Sequence, residues 1–159
     1  MDALLELLQK DARLNDEQLA ERLEMAPCDV RKMITRWEAD GTILGYQAVV
    51  DPAKAADGEV YAVIDVKVTP ERGGGFDRMA DRIAQFDQVT HCTLMSGGYD
   101  LAVTVRGRTL HEVARFVSEK LSTIEGVLST TTHFQLKIYK QNGLMTRPMA
   151  EANRLPVAP

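Results

Sequence analysis

Glu59-Val60-Tyr61-Ala62-Val63-Ile64-Asp65-Val66-Lys67-Val68 is the stretch on which the fold turns. Val60, Ala62, Ile64, Val66 and Val68 fall at every second position, the period of a strand with one face on a core. Downstream, Phe76, Met79, Ala80 and Ile83 make a helical stripe, and a strand is expected over about Val89 to Met95. Another strand follows at once, with Leu101, Val103 and Val105 alternating. Leu110, Val113, Ala114, Val117, Leu121 and Ile124 then form the strongest helical stripe of the chain, and Phe134, Leu136 and Ile138 are assigned to a last strand.

The order β-α-β-β-α-β over residues 59–140 is that of the ferredoxin-like fold, in which two helices pack on one face of a four-stranded antiparallel sheet. The opposite parity places Tyr61, Val63, Ala102, Thr104, Thr131 and Tyr139 on the other face. Such a face is too apolar to stay wholly wet, which predicts that it packs on a second copy of the chain as a homodimer.

Upstream, Thr42 to Val50 is short and β-prone, and Asp51-Pro52 opens a small-residue stretch to Gly58, so residues 46–58 read as a linker with one strand. Before it lie three helical segments. Leu4, Leu5 and Leu8 follow Asp2 at helical spacing, and Leu19, Ala20 and Leu23 repeat the pattern. Asn15 and Gln18 have the spacing of a capping box, so the second helix is expected from about Asp16. Pro27 suits a helix first turn, where its missing N–H has no partner to lose, and the third segment ends near Gly41.

A turn of only Glu24 to Ala26 between the second and third helices is the helix-turn-helix spacing, expected over residues 1–45. Helical projection puts Val30, Met33, Ile34 and Trp37 on one side of the third helix and Cys28, Arg31, Lys32, Thr35 and Arg36 on the other. Arg31, Lys32, Thr35 and Arg36 are therefore the candidate DNA contacts, with their cations expected to stand free for bases and phosphates of double-stranded DNA. A three-helix packing unit with a solvated charged face fits the same spacing.

The charge balance sets a condition on the DNA reading. The 159 residues are 45% apolar and carry a formal charge of -4. Residues 1–50 hold six Lys/Arg against ten Asp/Glu, and the remainder thirteen of each. The whole net charge thus lies in the segment assigned to DNA, and binding must depend on where the cations point. Cys28 and Cys92 form no CxxC pair, which suits a reducing compartment and a cytoplasmic protein. No leader-like start and no apolar run of about 18 residues suggests a membrane segment.

His91, Cys92 and His133 could be imagined around a metal, but strand parity sends His91 and Cys92 to opposite faces, so no metal and no cofactor is expected. Gly73-Gly74-Gly75 lacks the Lys-Ser/Thr of a phosphate loop and reads as a flexible connection. No nucleophile with an adjacent base stands out, so the reading is not an enzyme, with a small ferredoxin-like enzyme as an alternative. Residues 141–159, with Pro148, Pro156 and Pro159, read as a C-terminal tail in which Met145 and Met149 are candidates for packing on a partner.

Several local sequences carry a resemblance over residues 2–140. They are Asp11-Ala12-Arg13 with Leu19-Ala20, the run from Trp37 to Tyr46, Gly97-Gly98-Tyr99-Asp100-Leu101, and Glu125-Gly126-Val127 with Thr130 and Thr132. In these the chain resembles the Lrp/AsnC feast/famine transcription regulators. The family commonly has Ser at the position of Ala26, Arg at Met33 and Leu at Trp37.

The resemblance implies an α+β protein: a winged-type helix-turn-helix, then a ferredoxin-like RAM-type domain that dimerises and in some members assembles into an octamer. It also implies a small-molecule effector, an amino acid or related metabolite, near Met95, Gly97, Gly98, Tyr99, Asp100, Thr130 and Thr132. The glycines would allow close backbone approach, Asp100 could take an ammonium group and the threonine hydroxyls could orient a carboxylate. An ordinary hairpin turn is the other reading of Gly97-Gly98. A metabolite-sensing oligomer with weak or lost DNA binding is the alternative function.

Overall fold

The computed structural model describes residues 2–51, 54, 58–70 and 75–146. Its contacts divide the chain into two units, with the boundary after Ala48.

The first unit contains α1 (Ala3–Lys10), α2 (Asp16–Leu23) and α3 (Pro27–Ala39). The caps follow from side-chain chemistry. Asp2 accepts the Leu4 N–H at 2.9 Å, and Asn15 and Gln18 close the capping box in both directions at 2.8 and 3.0 Å. Glu24 ends α2 in the left-handed conformation, φ 53°, which turns the chain within three residues into α3 with Pro27 in its first turn. Ala26 caps α3 without a side-chain bond. Leu4, Leu8, Leu19, Ala20 and Val30 form the buried core, with Met33, Ile34 and Trp37 packed against it.

The strand expected over Thr42–Val50 does not form: residues 44–50 hold no regular structure and Leu44 is 96% exposed. A β-prone run has no strand geometry to keep unless another strand pairs with it, and none does so among the described residues.

In the second unit, β1 (Val60–Val68), β2 (Val89–Leu94), β3 (Leu101–Gly107) and β4 (Val127–Phe134) form an antiparallel sheet in the order β2-β3-β1-β4. Helix α4 (Asp77–Ala84) joins β1 to β2, and α5 (Leu110–Phe116) continues as a π-helical turn over Val117–Leu121. This is the ferredoxin-like arrangement. Ala62, Ile64 and Val66 lie opposite Val105, Val103 and Leu101, and all six are buried together with Met79, Ile83, Val113, Phe116, Leu121 and Ile124.

Two assignments within this unit differ from the expectation. The final strand lies earlier than expected: β4 covers Val127–Phe134, and its ladder with β1 ends at Ala62↔Phe134. The last rung beside Ala62↔Phe134 is the Gln135 N–H donating to Tyr61 O at 2.9 Å, and Leu136 beyond it is 95% exposed. The second helical stripe also shifts: Leu110 and Ala114 are exposed while Phe116 is buried. The wide turn, with Ser122 N–H bonded to Val117 O five residues back, brings Leu121 onto the face that Phe116 occupies.

The beginning of the expected tail is ordered into β5 (Lys140–Gln141) and β6 (Leu144–Met145), a hairpin closed by Asn142-Gly143 with φ of 46° and 84°. Asn-Gly favours this turn because both residues tolerate positive φ. The expectations for Gly73, Gly74, Pro148, Met149, Pro156 and Pro159 lie outside the described residues.

Candidate nucleic-acid interface and effector turn

Helix α3 presents Arg31, Lys32, Thr35 and Arg36 to solvent on the side opposite Val30. The cations are exposed but not free, contrary to the expectation. Arg31 Nε donates to Asp16 Oδ2 at 2.6 Å, Lys32 Nζ donates to Asp29 Oδ1 at 3.1 Å, and Arg36 Nε lies 4.0 Å from Asp40 Oδ2. The hydrogen bond to Asp16 raises the Arg31 pKa and that to Asp29 raises the Lys32 pKa. Hydrogen bonds from the Thr42 hydroxyl and N–H, with Arg36 nearby, hold the Asp40 carboxyl below its ordinary value. Arg31, Lys32 and Asp40 therefore stay charged near neutrality. Exposed pairs of this kind are weak and salt-screened, so a phosphate can exchange for the carboxylate.

The turn from Met95 to Asp100 sits at the C-terminal end of β1. The Asp100 N–H donates to Val66 O at 3.0 Å, and the Met95 N–H donates to Asp100 O at 2.8 Å. The Asp100 carboxylate is already engaged: Oδ2 accepts the Val68 N–H at 2.9 Å, beside the bulge where β1 loses register with β4. Gly97 and Gly98 are exposed, with open space where a Cβ would lie, and Met95 is exposed while Tyr99 is half-buried. Thr130 pairs with Val66 from the other side of β1 and Thr132 with Ile64, and Thr130 Oγ1 lies 3.3 Å from Ser122 Oγ. Within one chain β1 thus separates the two threonines from the glycine turn.

The bond from the Val68 N–H to the Asp100 side chain has a measurable consequence. Asp100→Ala strands the Val68 N–H and is expected to lower stability by about 1–3 kcal/mol, whereas Asp100→Asn keeps an acceptor in place and loses much less. Urea denaturation of both variants checks this, and equal losses would reject the anchoring role.

His133 Nε2 lies 3.1 Å from Asp65 Oδ2 on the uncovered sheet face, while the Cys92 thiol points the other way, 3.8 Å from Ala80 O. Burial pushes the Cys92 thiol up, with Asp81 adding to the shift. Among the described residues no three His, Cys, Asp or Glu side chains are grouped to hold a metal, and no helix is long and apolar enough to cross a membrane. A cleft of about 340 Å³ at the other end of the sheet is lined by Glu59, Asp87, Gln88, Arg106, Gly107, Arg108 and Glu112, and it contains none of the expected effector residues.

A helix-turn-helix with cations on its last helix, followed in the same chain by a ferredoxin-like sheet covered on one side, defines the class of two-part helix-turn-helix regulators. The chain belongs to the Lrp/AsnC family: the Lrp/AsnC ligand binding domain matches residues 61–145. The uncharacterized HTH-type transcriptional regulator YugG of Bacillus subtilis (strain 168) is 44% identical over 157 residues, 98% of this chain and 95% of the relative. The leucine-responsive regulatory protein of Escherichia coli (strain K12) is 26% identical, covering 87% and 84% of the two chains. Among solved structures, a Neisseria meningitidis transcriptional regulator in complex with L-Met superposes with a TM-score of 0.70 at 23% identity, over 89% of this chain and 93% of that one. The fold of E. coli AsnC matches with a TM-score of 0.67 at 21% identity, over 89% and 95%.

Proposed function

We propose that this protein is a sequence-specific, DNA-binding transcriptional regulator whose C-terminal domain oligomerises and binds an amino acid or related metabolite. The observation that carries the reading is the polarity of α3, which buries Val30 while Arg31, Lys32, Thr35 and Arg36 face solvent. In a helix-turn-helix that face is the one offered to a major groove.

Residues 1–45 read the duplex, and residues 59–140 dimerise and take the effector near Met95, Gly97, Gly98, Tyr99, Asp100, Thr130 and Thr132. Because β1 lies between the turn and the threonines, a complete effector site draws on a second subunit. The uncovered sheet face around Tyr61, Val63, Ala102, Thr104 and Thr131 makes a homodimer, which supports assembly to an octamer and suits paired half-sites on DNA. The protein acts in the cytoplasm and by binding rather than catalysis. The L-Met complex of the Neisseria relative supports an amino-acid effector.

A metabolite sensor with weak or lost DNA binding is the second reading, favoured by the carboxylate found beside each α3 cation. Electrophoretic shift and footprinting at low salt on the protein's own upstream region, with and without L-methionine and other amino acids, separate the two. Protected half-sites about one helical turn apart are expected. Absence of any shift at low salt would leave the sensor.

A further inference from the structure

We propose that Asp16, Asp29 and Asp40 are specificity-determining residues of the DNA reader: as built-in counterions of Arg31, Lys32 and Arg36, they suppress binding to arbitrary duplexes. The inference rests on the DNA reading above. The three pairs run the length of α3. Asp29 lies one turn before Lys32, Asp40 one turn after Arg36, and Asp16 reaches Arg31 from the first residue of α2. Arg31 is 74% exposed and its partner only 22%, so the carboxylate is held by the fold while the guanidinium stays accessible.

Binding to DNA without sequence preference comes almost wholly from cations that neutralise phosphates and release condensed counterions. A cation that arrives with its own carboxylate adds no net positive charge, so it releases few counterions until the pair opens. On a matching duplex, fixed acceptors on the base edges replace the carboxylate in a defined geometry. On a random duplex only the salt-screened phosphate field competes with it. The ten acidic against six basic residues of the first fifty remove the general positive field that would otherwise mask this effect.

The test is fluorescence anisotropy of the full chain on a random-sequence duplex, and on a duplex enriched by the wild type from a randomised pool, across a KCl series. D16N/D29N/D40N is expected to bind the random duplex about tenfold or more tightly, with the salt slope steeper by about 1 to 3 and a smaller gain on the enriched duplex. E6Q/E21Q removes acidic charge from the same unit without opening these pairs and is expected to stay near the wild type, as is D16E, which keeps the Arg31 pair. Unchanged affinity and slope in the triple variant, or an equal gain in E6Q/E21Q, overturns the inference. Should the triple variant lose its fold by Trp37 fluorescence, D29N alone carries the same comparison for Lys32. R31A/K32A/R36A separates the two levels: if it binds both duplexes like the wild type, the α3 reading itself fails. If it loses binding while the asparagine variant behaves like the wild type, only the counterion role falls.

Discussion

Replacing Arg31, Lys32 and Arg36 together by Ala is expected to weaken binding to the protein's upstream DNA by on the order of a hundredfold or more at low salt and to reduce the salt slope by no more than about 3. The size follows from what the rest of the unit lacks. Three of the six basic residues in the first fifty are on this face of α3, amid ten acidic ones, so few other cations can take over. The effect should also be local, because all three side chains are exposed and the core of the unit is made by Leu4, Leu8, Leu19, Ala20 and Val30. Gel shift measures the loss, and sedimentation is expected to show the same oligomer as the wild type. Undiminished DNA binding would remove α3 from the interface.

Ile64→Ala should have the largest effect on stability, a loss of about 2–5 kcal/mol. Ile64 is fully buried at the centre of β1, with Val103 on one side and Thr132 on the other, so the cavity has strands at both edges and little room to collapse. Leu110→Ala is the comparison. Leu110 belongs to the apolar stripe that the spacing suggests, yet it is exposed, and its loss is expected to stay within about 0.5 kcal/mol. Trp37, the single tryptophan, packs in the first unit, so its fluorescence transition in urea should move far less than the circular-dichroism transition of the second. Equal shifts by both probes would show the two units unfolding as one, and equal losses for Ile64→Ala and Leu110→Ala would contradict the assigned core.

The candidate interface is partly legible in the amino-acid sequence. Helical projection finds the cationic face of α3 but passes over its carboxylates. Asp29 and Lys32 are three apart and Arg36 and Asp40 four apart, the spacings at which side chains meet on one helix, so two of the three pairs have a signal in the spacing. The Asn142-Gly143 turn has one too, since that dipeptide marks a hairpin by its backbone preference. The Arg31–Asp16 pair has none. The residues are 15 apart, and only the angle set by Glu24 in its left-handed conformation brings α2 beside that part of α3.

Features under local control can be read along the chain. The two-residue period of Val60–Val68 and Leu101–Gly107, the reciprocal bonds of Asn15 and Gln18, and the place of Pro27 in a first turn depend on neighbours a few positions away. The limits of β4, the wide turn after Phe116 and the duty of Asp100 are tertiary outcomes. A strand ends where its pairing with a neighbour ends, a helix widens where the sheet beneath asks Leu121 to face inward, and a carboxylate serves whichever N–H the fold leaves beside it. Those are relations between residues distant in sequence, and periodicity along one chain does not contain them.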